Sequence, residues 1–118
     1  MSTPVGPYSP VVRSGDLVFS AGQIGLLDGK VVSGGLRAEL TQAMTNLASV
    51  LAQEHATLDD VVKTTVFLTD IDDYAEMNEV YTTVLGDHRP ARSAVAVAAL
   101  PAGACVEIEA IAVVAAAS

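Results

Sequence analysis

The sequence predicts an α+β fold in which two helices pack on one face of a mixed β-sheet. Alternating, β-branched stretches that indicate strands are interleaved with two stretches of helical periodicity, in the order strands, helix, strand, helix, two strands. The chain of 118 residues is long enough for one modest core and leaves little room for a second. No linker or repeat divides it, so we expect a single domain over residues 1–118.

The N-terminal third predicts a loop followed by two short strands. Residues 3–10 (TPVGPYSP) are rich in proline and glycine and indicate an ordered loop. The run DLVFSAGQI (16–24) predicts a short strand ending near Gly22. The Asp-Gly pair of LDGKVV then predicts a turn into a second short strand.

The remainder predicts two helices and three strands. Apolar residues at steps of three and four through about Glu54 predict the first helix: Leu36, Leu40, Ala43, Met44, Leu47, Val50 and Leu51. Residues 59–70 are β-branched and predict a strand, whereas residues 72–85 predict a second helix. The apolar face of this helix comprises Tyr74, Met77, Tyr81 and Val84. Two further strands are expected near 92–99 and 104–114, joined by a Pro-Ala-Gly turn.

Side-chain alternation predicts two different sheet faces. The face expected beneath the helices carries Val62, Thr64, Val66, Leu68, Val95, Val97, Val106, Ile108, Ala110 and Ala112. The opposite face carries small and apolar residues with a few charges: Lys63, Thr65, Phe67, Arg92, Ala94, Ala96, Ala98, Cys105, Glu107, Glu109 and Ile111. Such a composition is not typical of a solvated face. We therefore expect this face to pack against another subunit and to leave a polar cavity at the charges, provided that no β-bulge shifts the alternation.

Composition and charge narrow the function classes. The net charge is −8, the six basic residues are scattered, and there is no tryptophan, so the sequence does not favour a nucleic-acid partner. The hydrophobic content of 51% leaves surplus apolar surface, which favours an oligomer. Neither a signal peptide nor a membrane-length apolar run is visible, so we expect a cytoplasmic protein without a membrane partner. Cys105 is the single cysteine, and His55 and His88 lack metal-ligand spacing, so no metal site is expected.

Arg92 is the first candidate for a functional side chain, because its guanidinium precedes a run of small apolar residues in RPARSAVAVAAL (89–100). A charge at the edge of a core needs a partner, and an arginine fork matches a carboxylate in bidentate fashion. The pattern alone fits a ligand carboxylate and a structural ion pair with Glu107 or Glu109 about equally well. Either glutamate could in turn be a general acid/base or water-positioning group, or form a salt bridge across an interface.

Four further positions are weaker candidates, each with an ordinary structural explanation. Tyr8 offers a phenol on a stiff Gly-Pro loop, where a packed tyrosine is the simpler explanation. Gly22 would allow a ligand to approach the backbone closely, although a glycine at a strand end usually just turns the chain. Asn78 faces away from the apolar stripe of its helix and fits a solvated side chain. Cys105 is expected to be a small buried hydrophobe.

Five motifs cover nearly the whole chain: GPYSP (6–10), VFSAGQI (18–24), TLDDVVKTTVFLTDIDDYAEMNEVY (57–81), PARSAVAV (90–97) and LPAGACVEIEAIA (100–112). In this order they resemble the RidA family (reactive intermediate deaminase A, also called the YjgF family). The resemblance implies a chorismate-mutase-like fold and homotrimers with three active sites in clefts between subunits. It also implies cofactor-free hydrolysis of 2-imino or enamine acids, such as 2-iminopropanoate and 2-iminobutanoate, to 2-keto acids and ammonia. These intermediates escape from pyridoxal-phosphate enzymes, notably serine/threonine dehydratases.

The resemblance implies roles for individual residues. The family's essential arginine falls on Arg92, its water-positioning glutamate on Glu107 and its loop tyrosine on Tyr8. Its backbone-contributing glycine falls on Gly22 and its helix asparagine on Asn78. The implied site therefore combines three catalytic side chains with groups that bind the substrate.

Two departures from the family pattern concern substrate range more than reaction type. Backbone groups near Ala94 are expected to orient the substrate, but many deaminase members carry a cysteine at this position, directly after ARS. Arg89 stands where an aromatic residue is common, and the connection from Tyr81 to Pro90 is shorter than usual. These departures also leave room for a trimer that binds ligands or client proteins without turnover, a chaperone-like role. A ribonuclease or translation-inhibitor role has been attached to the family too, but the negative charge argues against it.

Overall fold

The structure is a computed structural model that describes residues 6–115 of the chain. Its strands and helices follow one another as β1 (Val11–Ser14), β2 (Leu17–Ser20), β3 (Leu26–Leu27), β4 (Lys30–Val31), α1 (Gly35–Ala52), β5 (Val61–Leu68), α2 (Tyr74–Leu85), β6 (Ala91–Ala96) and β7 (Val106–Val113). The predicted α+β order is confirmed, with β1 as an additional strand that the sequence did not predict. Over this same range, no helix combines the length and the apolar character needed to span a bilayer.

The main sheet has five strands in the order β1-β2-β7-β5-β6. Only β5 and β6 run parallel, because α2 crosses over between them, and the other neighbours are antiparallel. Strands β3 and β4 form a separate hairpin around Asp28-Gly29. This order makes β6 an edge strand, so Arg92 lies at the margin of the sheet.

Helix α1 fills the space above the sheet. All seven of its predicted apolar residues are buried, which confirms the predicted periodicity. Helix α2 buries Met77 and Tyr81 as predicted, while Tyr74 and Val84 stay partly exposed. The two helices are also joined at the surface, where Arg37 of α1 forms ion pairs with Glu76 and Glu79 of α2.

The predicted alternation is wrong at the start of β5. The pairing of β5 with β7 shifts between Val61 and Lys63, which is an irregularity of the β-bulge type. As a result Val61 is 1% exposed, whereas Val62, which was expected under the helices, is 47% exposed. From Lys63 onward the alternation agrees with the prediction.

The predicted alternation of β6 is also wrong, and this changes the position of the candidate arginine. Thr64 pairs with Arg92 and Val66 with Ala94, so Arg92 and Ala94 lie on the helix-covered side and not on the opposite face. Val95 accordingly points to the uncovered side and is 44% exposed. The physical reason is α2, whose Met77 and Tyr81 cover this edge and contact Arg92. Ala94 packs against the core there.

The uncovered face carries no helix in the described part of the chain. It combines exposed apolar side chains with polar ones: Val12, Leu17, Phe19, Lys63, Thr65, Phe67, Ser93, Val95, Glu107, Glu109, Ile111 and Val113. The predicted mixed composition is therefore present, although Arg92, Ala94 and Ala96 are not part of it.

Candidate functional site

Arg92 is held against α2 by three side chains. Its guanidinium carbon lies 4.9 Å from the ring centroid of Tyr81 and 5.5 Å from that of Tyr74. Its Nη2 donates to the Tyr74 hydroxyl at 3.0 Å, and its Nη1 lies 3.6 Å from the Sδ of Met77. Cation–π stacking and these hydrogen bonds fix the plane of the guanidinium. We call Tyr74, Met77, Asn78, Tyr81 and Arg92 the arginine half-site.

Arg92 has no acidic partner among residues 6–115. The ion pairs of Arg13 and Arg37 do not involve Arg92, and no ion pair joins Arg92 to Glu107 or Glu109 within residues 6–115. A guanidinium has five N–H groups, and described side chains accept only two of them. The half-buried cation therefore keeps donors for an anion that comes from outside this chain's described residues.

Asn78 belongs to the same face of α2, one turn after Tyr74. Its Oδ1 is buried and has no hydrogen-bond partner among the described residues. A buried amide oxygen normally accepts a hydrogen bond, so this atom marks a place where a donor is missing. Ala94, which was expected to orient the substrate through its backbone, lies two residues beyond Arg92 in β6.

Glu107 lies on the uncovered face of the central strand β7, tightly packed against Gly22. A Cβ atom on Gly22 would lie 2.7 Å from both Cδ and Oε2 of Glu107, so only glycine lets the carboxylate approach the backbone this closely. Loss of solvent, and secondarily the charge of Glu109, raises the pKa of Glu107. Glu107 is the more enclosed of the two glutamates, since Glu109 is exposed.

Tyr8 belongs to the loop that precedes β1, and it is about half exposed. The amide of Ala21 donates to the carbonyl of Pro10 at 2.8 Å, so this loop leaves the sheet beside Gly22. We call Tyr8, Gly22, Glu107 and Glu109 the glutamate half-site.

The two half-sites do not meet within one chain. Strand β5 separates β6 from β7, and Arg92 is paired with Thr64 while Glu107 is paired with Phe67, three residues further along β5. With ordinary strand geometry, the two Cα atoms are separated by roughly 10 Å across the strands and about 10 Å along them. The side chains also point to opposite faces. A molecule that contacts Arg92 therefore cannot contact Glu107 of the same chain if it is small.

The side chains of Cys105 and Arg89 lie outside both half-sites and make contacts within the chain. Burial, followed by the nearby carboxylate of Glu39, raises the pKa of the Cys105 thiol to about 12, so this thiol stays protonated at neutral pH. Arg89 donates to the carbonyls of Gly86 and His88 in its own loop. Within residues 6–115, no three His, Cys, Asp or Glu side chains are grouped so that they could hold a metal ion.

The partners of Arg92 were not predicted as functional residues. Tyr74, Met77 and Tyr81 follow one another at steps of three and four, and this spacing predicts a core stripe. The sequence feature that indicates these partners is the presence of two tyrosines on one helix face, because a tyrosine combines an apolar ring with a polar end that needs a partner.

Comparison with known proteins assigns the chain to a family. The family model described as Endoribonuclease L-PSP matches residues 1–114. The mouse protein named 2-iminobutanoate/2-iminopropanoate deaminase is 45% identical over 111 residues, which cover 92% of this chain and 82% of the mouse protein. The chain therefore belongs to the Endoribonuclease L-PSP family, which is the RidA family that its motifs resemble.

Solved structures of relatives share the fold. The crystal structure of RidA from an Antarctic Psychrobacter matches with a TM-score of 0.91 at 39% identity, covering 95% of this chain and 92% of that one. The E. coli protein TdcF, crystallised with bound serine, matches with a TM-score of 0.88 at 36% identity, covering 93% of this chain and 90% of its own. The similarity extends over nearly all of each chain.

Proposed function

We propose that the protein hydrolyses reactive 2-imino and enamine acids to 2-keto acids and ammonia, without a cofactor. 2-Iminopropanoate and 2-iminobutanoate are the proposed substrates, as the name of the mouse relative suggests. The proposed role is the removal of reactive intermediates that escape from pyridoxal-phosphate dehydratases. We propose the cytoplasm as its compartment, which cell fractionation tests.

The observation that carries this proposal is the guanidinium of Arg92, which is fixed in place without an acidic partner from the described residues. A 2-imino acid carries a carboxylate next to its reactive carbon, and an arginine fork is the side chain best suited to bind it. Binding the carboxylate at a fixed point places the imine carbon at a fixed distance from it, which lowers the entropic barrier to attack by water.

Glu107 is the proposed base. Its carboxylate accepts a proton from water while the water oxygen forms a bond to the imine carbon and the C=N π electrons move to nitrogen. Glu107 then returns this proton to the amine nitrogen, which gives a carbinolamine. In a second transfer Glu107 takes the hydroxyl proton and passes it to the same nitrogen as the C–N bond breaks, so that ammonia leaves and the oxygen becomes the keto group. The raised pKa of this carboxyl favours proton acceptance from water, because a higher pKa makes the carboxylate a stronger base. We propose that Tyr8, Gly22, Asn78 and the backbone near Ala94 complete the binding site.

A homotrimer is part of the proposal, because one chain cannot bring Arg92 and Glu107 to the same small molecule. The exposed apolar side chains of the uncovered face, which include Phe19 and Val95, support its burial against a second copy. In such an assembly Arg92 of one chain and Glu107 of its neighbour would form one site. Sedimentation equilibrium tests this, and the expected mass is three times that of the chain.

The activity is tested by coupling the purified protein to a threonine dehydratase and following the formation of 2-ketobutyrate. The protein should accelerate the release of keto acid from the imine above the rate in buffer. No acceleration at any ratio of protein to dehydratase would contradict the proposed function.

The same assay separates two other roles. If 2-keto acids bind and stabilise the protein while no imine is hydrolysed, the protein is a ligand-binding member of the family without turnover. The family description raises ribonuclease activity, against which the net charge of −8 argues because phosphates are repelled. Tight RNA binding that weakens steeply with salt, or cleavage of RNA, would overturn this judgement.

A further inference from the structure

Two tyrosines stack on Arg92, and their hydroxyl groups have opposite surroundings. The hydroxyl of Tyr81 is 2.7 Å from the Oγ1 of Thr64, and this pair is buried, with Tyr81 only 3% exposed. Tyr74 is 42% exposed, and its hydroxyl accepts a hydrogen bond from Nη2 of Arg92. Tyr81 therefore satisfies its polar end inside the protein, whereas Tyr74 presents its polar end at the surface of the arginine half-site.

The hydroxyl of Tyr74 has a proton left to donate. A phenol is both a donor and an acceptor, and the bond from Arg92 uses only its acceptor side. No described residue accepts a hydrogen bond from this hydroxyl. A hydroxyl that already accepts from a cation is polarised, which makes it a better donor to an anion. An anion that reaches the free N–H groups of Arg92 therefore meets a further donor next to them.

We propose that Tyr74 is a carboxylate-binding residue, whose hydroxyl donates to the same substrate carboxylate that Arg92 binds. This inference rests on the proposed function and deepens it. A carboxylate has about four lone-pair positions, so it can accept two N–H groups of the guanidinium and the Tyr74 hydroxyl together. Tyr74 then selects for a compact carboxylate directly beside Arg92, while the reacting carbon lies further out.

The substitution Tyr74→Phe tests this by removing one oxygen while keeping the ring that stacks on Arg92. The probe is 2-ketobutyrate, a stable keto acid, titrated by calorimetry into wild-type protein, Tyr74→Phe and Arg92→Ala. We expect the affinity of Tyr74→Phe to be about tenfold weaker than that of wild type, the lower part of the range for a hydrogen bond to a charged group because this site is partly exposed. In the coupled assay, KM should rise by a similar factor while kcat stays close to wild type, since the carboxylate is bound equally in the ground and transition states.

Tyr81→Phe is the matched control, because it also removes one hydroxyl from a ring that stacks on Arg92. Its hydroxyl is bonded to Thr64 inside the protein, so this variant should lower the melting temperature more than Tyr74→Phe does and the affinity for 2-ketobutyrate less. The two variants therefore separate ligand binding from packing.

The outcomes distinguish this inference from the proposed function. If wild type binds 2-ketobutyrate, Arg92→Ala does not, and Tyr74→Phe binds as tightly as wild type, the role of Tyr74 is overturned and the proposed function stands. A loss of affinity in Tyr74→Phe that merely follows its loss of folded protein also overturns the role. If wild type neither binds the keto acid nor hydrolyses the imine, both are overturned.

Discussion

The arginine half-site and the glutamate half-site differ in charge, in whether helices cover their face of the sheet, and in the contacts that fix their charged side chains. Arg92 is a cation on the helix-covered side of an edge strand, fixed between aromatic rings with no acid in contact. Glu107 is an anion on the uncovered side of a central strand, fixed against a glycine backbone and next to a second carboxylate. Each half-site has the charge that the other lacks.

This difference indicates a division of labour. The rings and sulfur around Arg92 neutralise no charge, so the guanidinium keeps its full attraction for a carboxylate. The surroundings of Glu107 make its charged form less favourable, so this carboxyl exchanges protons more readily at pH values closer to neutral. Binding is therefore expected to depend on the first half-site and proton transfer on the second.

Arg92→Ala gives the largest expected effect, because it removes the only charge of the arginine half-site. Truncating one member of a desolvated charge pair costs on the order of 2–5 kcal/mol, so kcat/KM for imine hydrolysis should fall by a factor between roughly 30 and 5,000. Arg37→Ala is the matched control: it also removes one guanidinium, but from a surface ion pair with Glu76 and Glu79. Equal rates for Arg92→Ala and wild type would show that the two half-sites do not form a carboxylate-dependent site.

Mixing two inactive variants tests whether the half-sites come from different chains. Arg92→Ala and Glu107→Ala proteins are unfolded together, refolded at equal concentration and assayed. If each site takes Arg92 from one chain and Glu107 from another, about a quarter of the sites in the random mixture have both residues intact and activity returns. If the mixture stays as inactive as its components, the site does not combine Arg92 of one chain with Glu107 of another. Each variant refolded alone is the control.

The sequence could predict the elements and most of the core, because these depend on local periodicity. The seven apolar residues of α1 are all buried, and Glu107 and Glu109 lie on the predicted face of β7. Alternation gave the wrong face for Val62, because one irregular residue near the start of β5 shifts the pattern and leaves no mark in the sequence.

The face of Arg92 could not be predicted for a different reason. Val95 of β6 and Val97 just beyond it look like the buried side of that strand, but β6 is an edge strand whose helix side is filled from above by Met77 and Tyr81. Which side chains an edge strand buries depends on the volume that the neighbouring helix leaves, and this is a tertiary property. The family resemblance makes Arg92 a candidate, whereas the alternation assigns it to the wrong side of the sheet.

Gly22→Ala sharpens the comparison by changing the glutamate half-site alone. The added methyl group would lie 2.7 Å from the carboxyl carbon of Glu107, so the carboxylate must move. We expect kcat to fall on the order of tenfold, because small displacements of a positioned group are costly, while KM stays near wild type since the arginine half-site is unchanged. Any effect of Gly22→Ala on the melting temperature that comes from this contact should be absent in a Glu107→Ala background, because that variant lacks the carboxylate. A rise in KM with unchanged kcat would contradict the division of labour.

Glu107→Gln gives the smallest expected effect, a pH-dependent change in stability. Because burial raises the pKa of Glu107 in the folded protein, the native state binds this proton more tightly than the unfolded chain does. Wild type should therefore lose stability as pH rises through this raised pKa, whereas the glutamine variant should not. The variant should melt at a higher temperature than wild type at pH 7, and the difference should vanish below about pH 4.3, the ordinary pKa of a glutamate. Glu109→Gln removes the secondary cause of the shift and should give a smaller difference of the same sign. If the melting temperatures of Glu107→Gln and wild type differ by a constant amount from pH 4 to pH 8, the difference comes from packing and not from the charge of Glu107. Packing, and not this charge, would then distinguish the glutamate half-site from the arginine half-site.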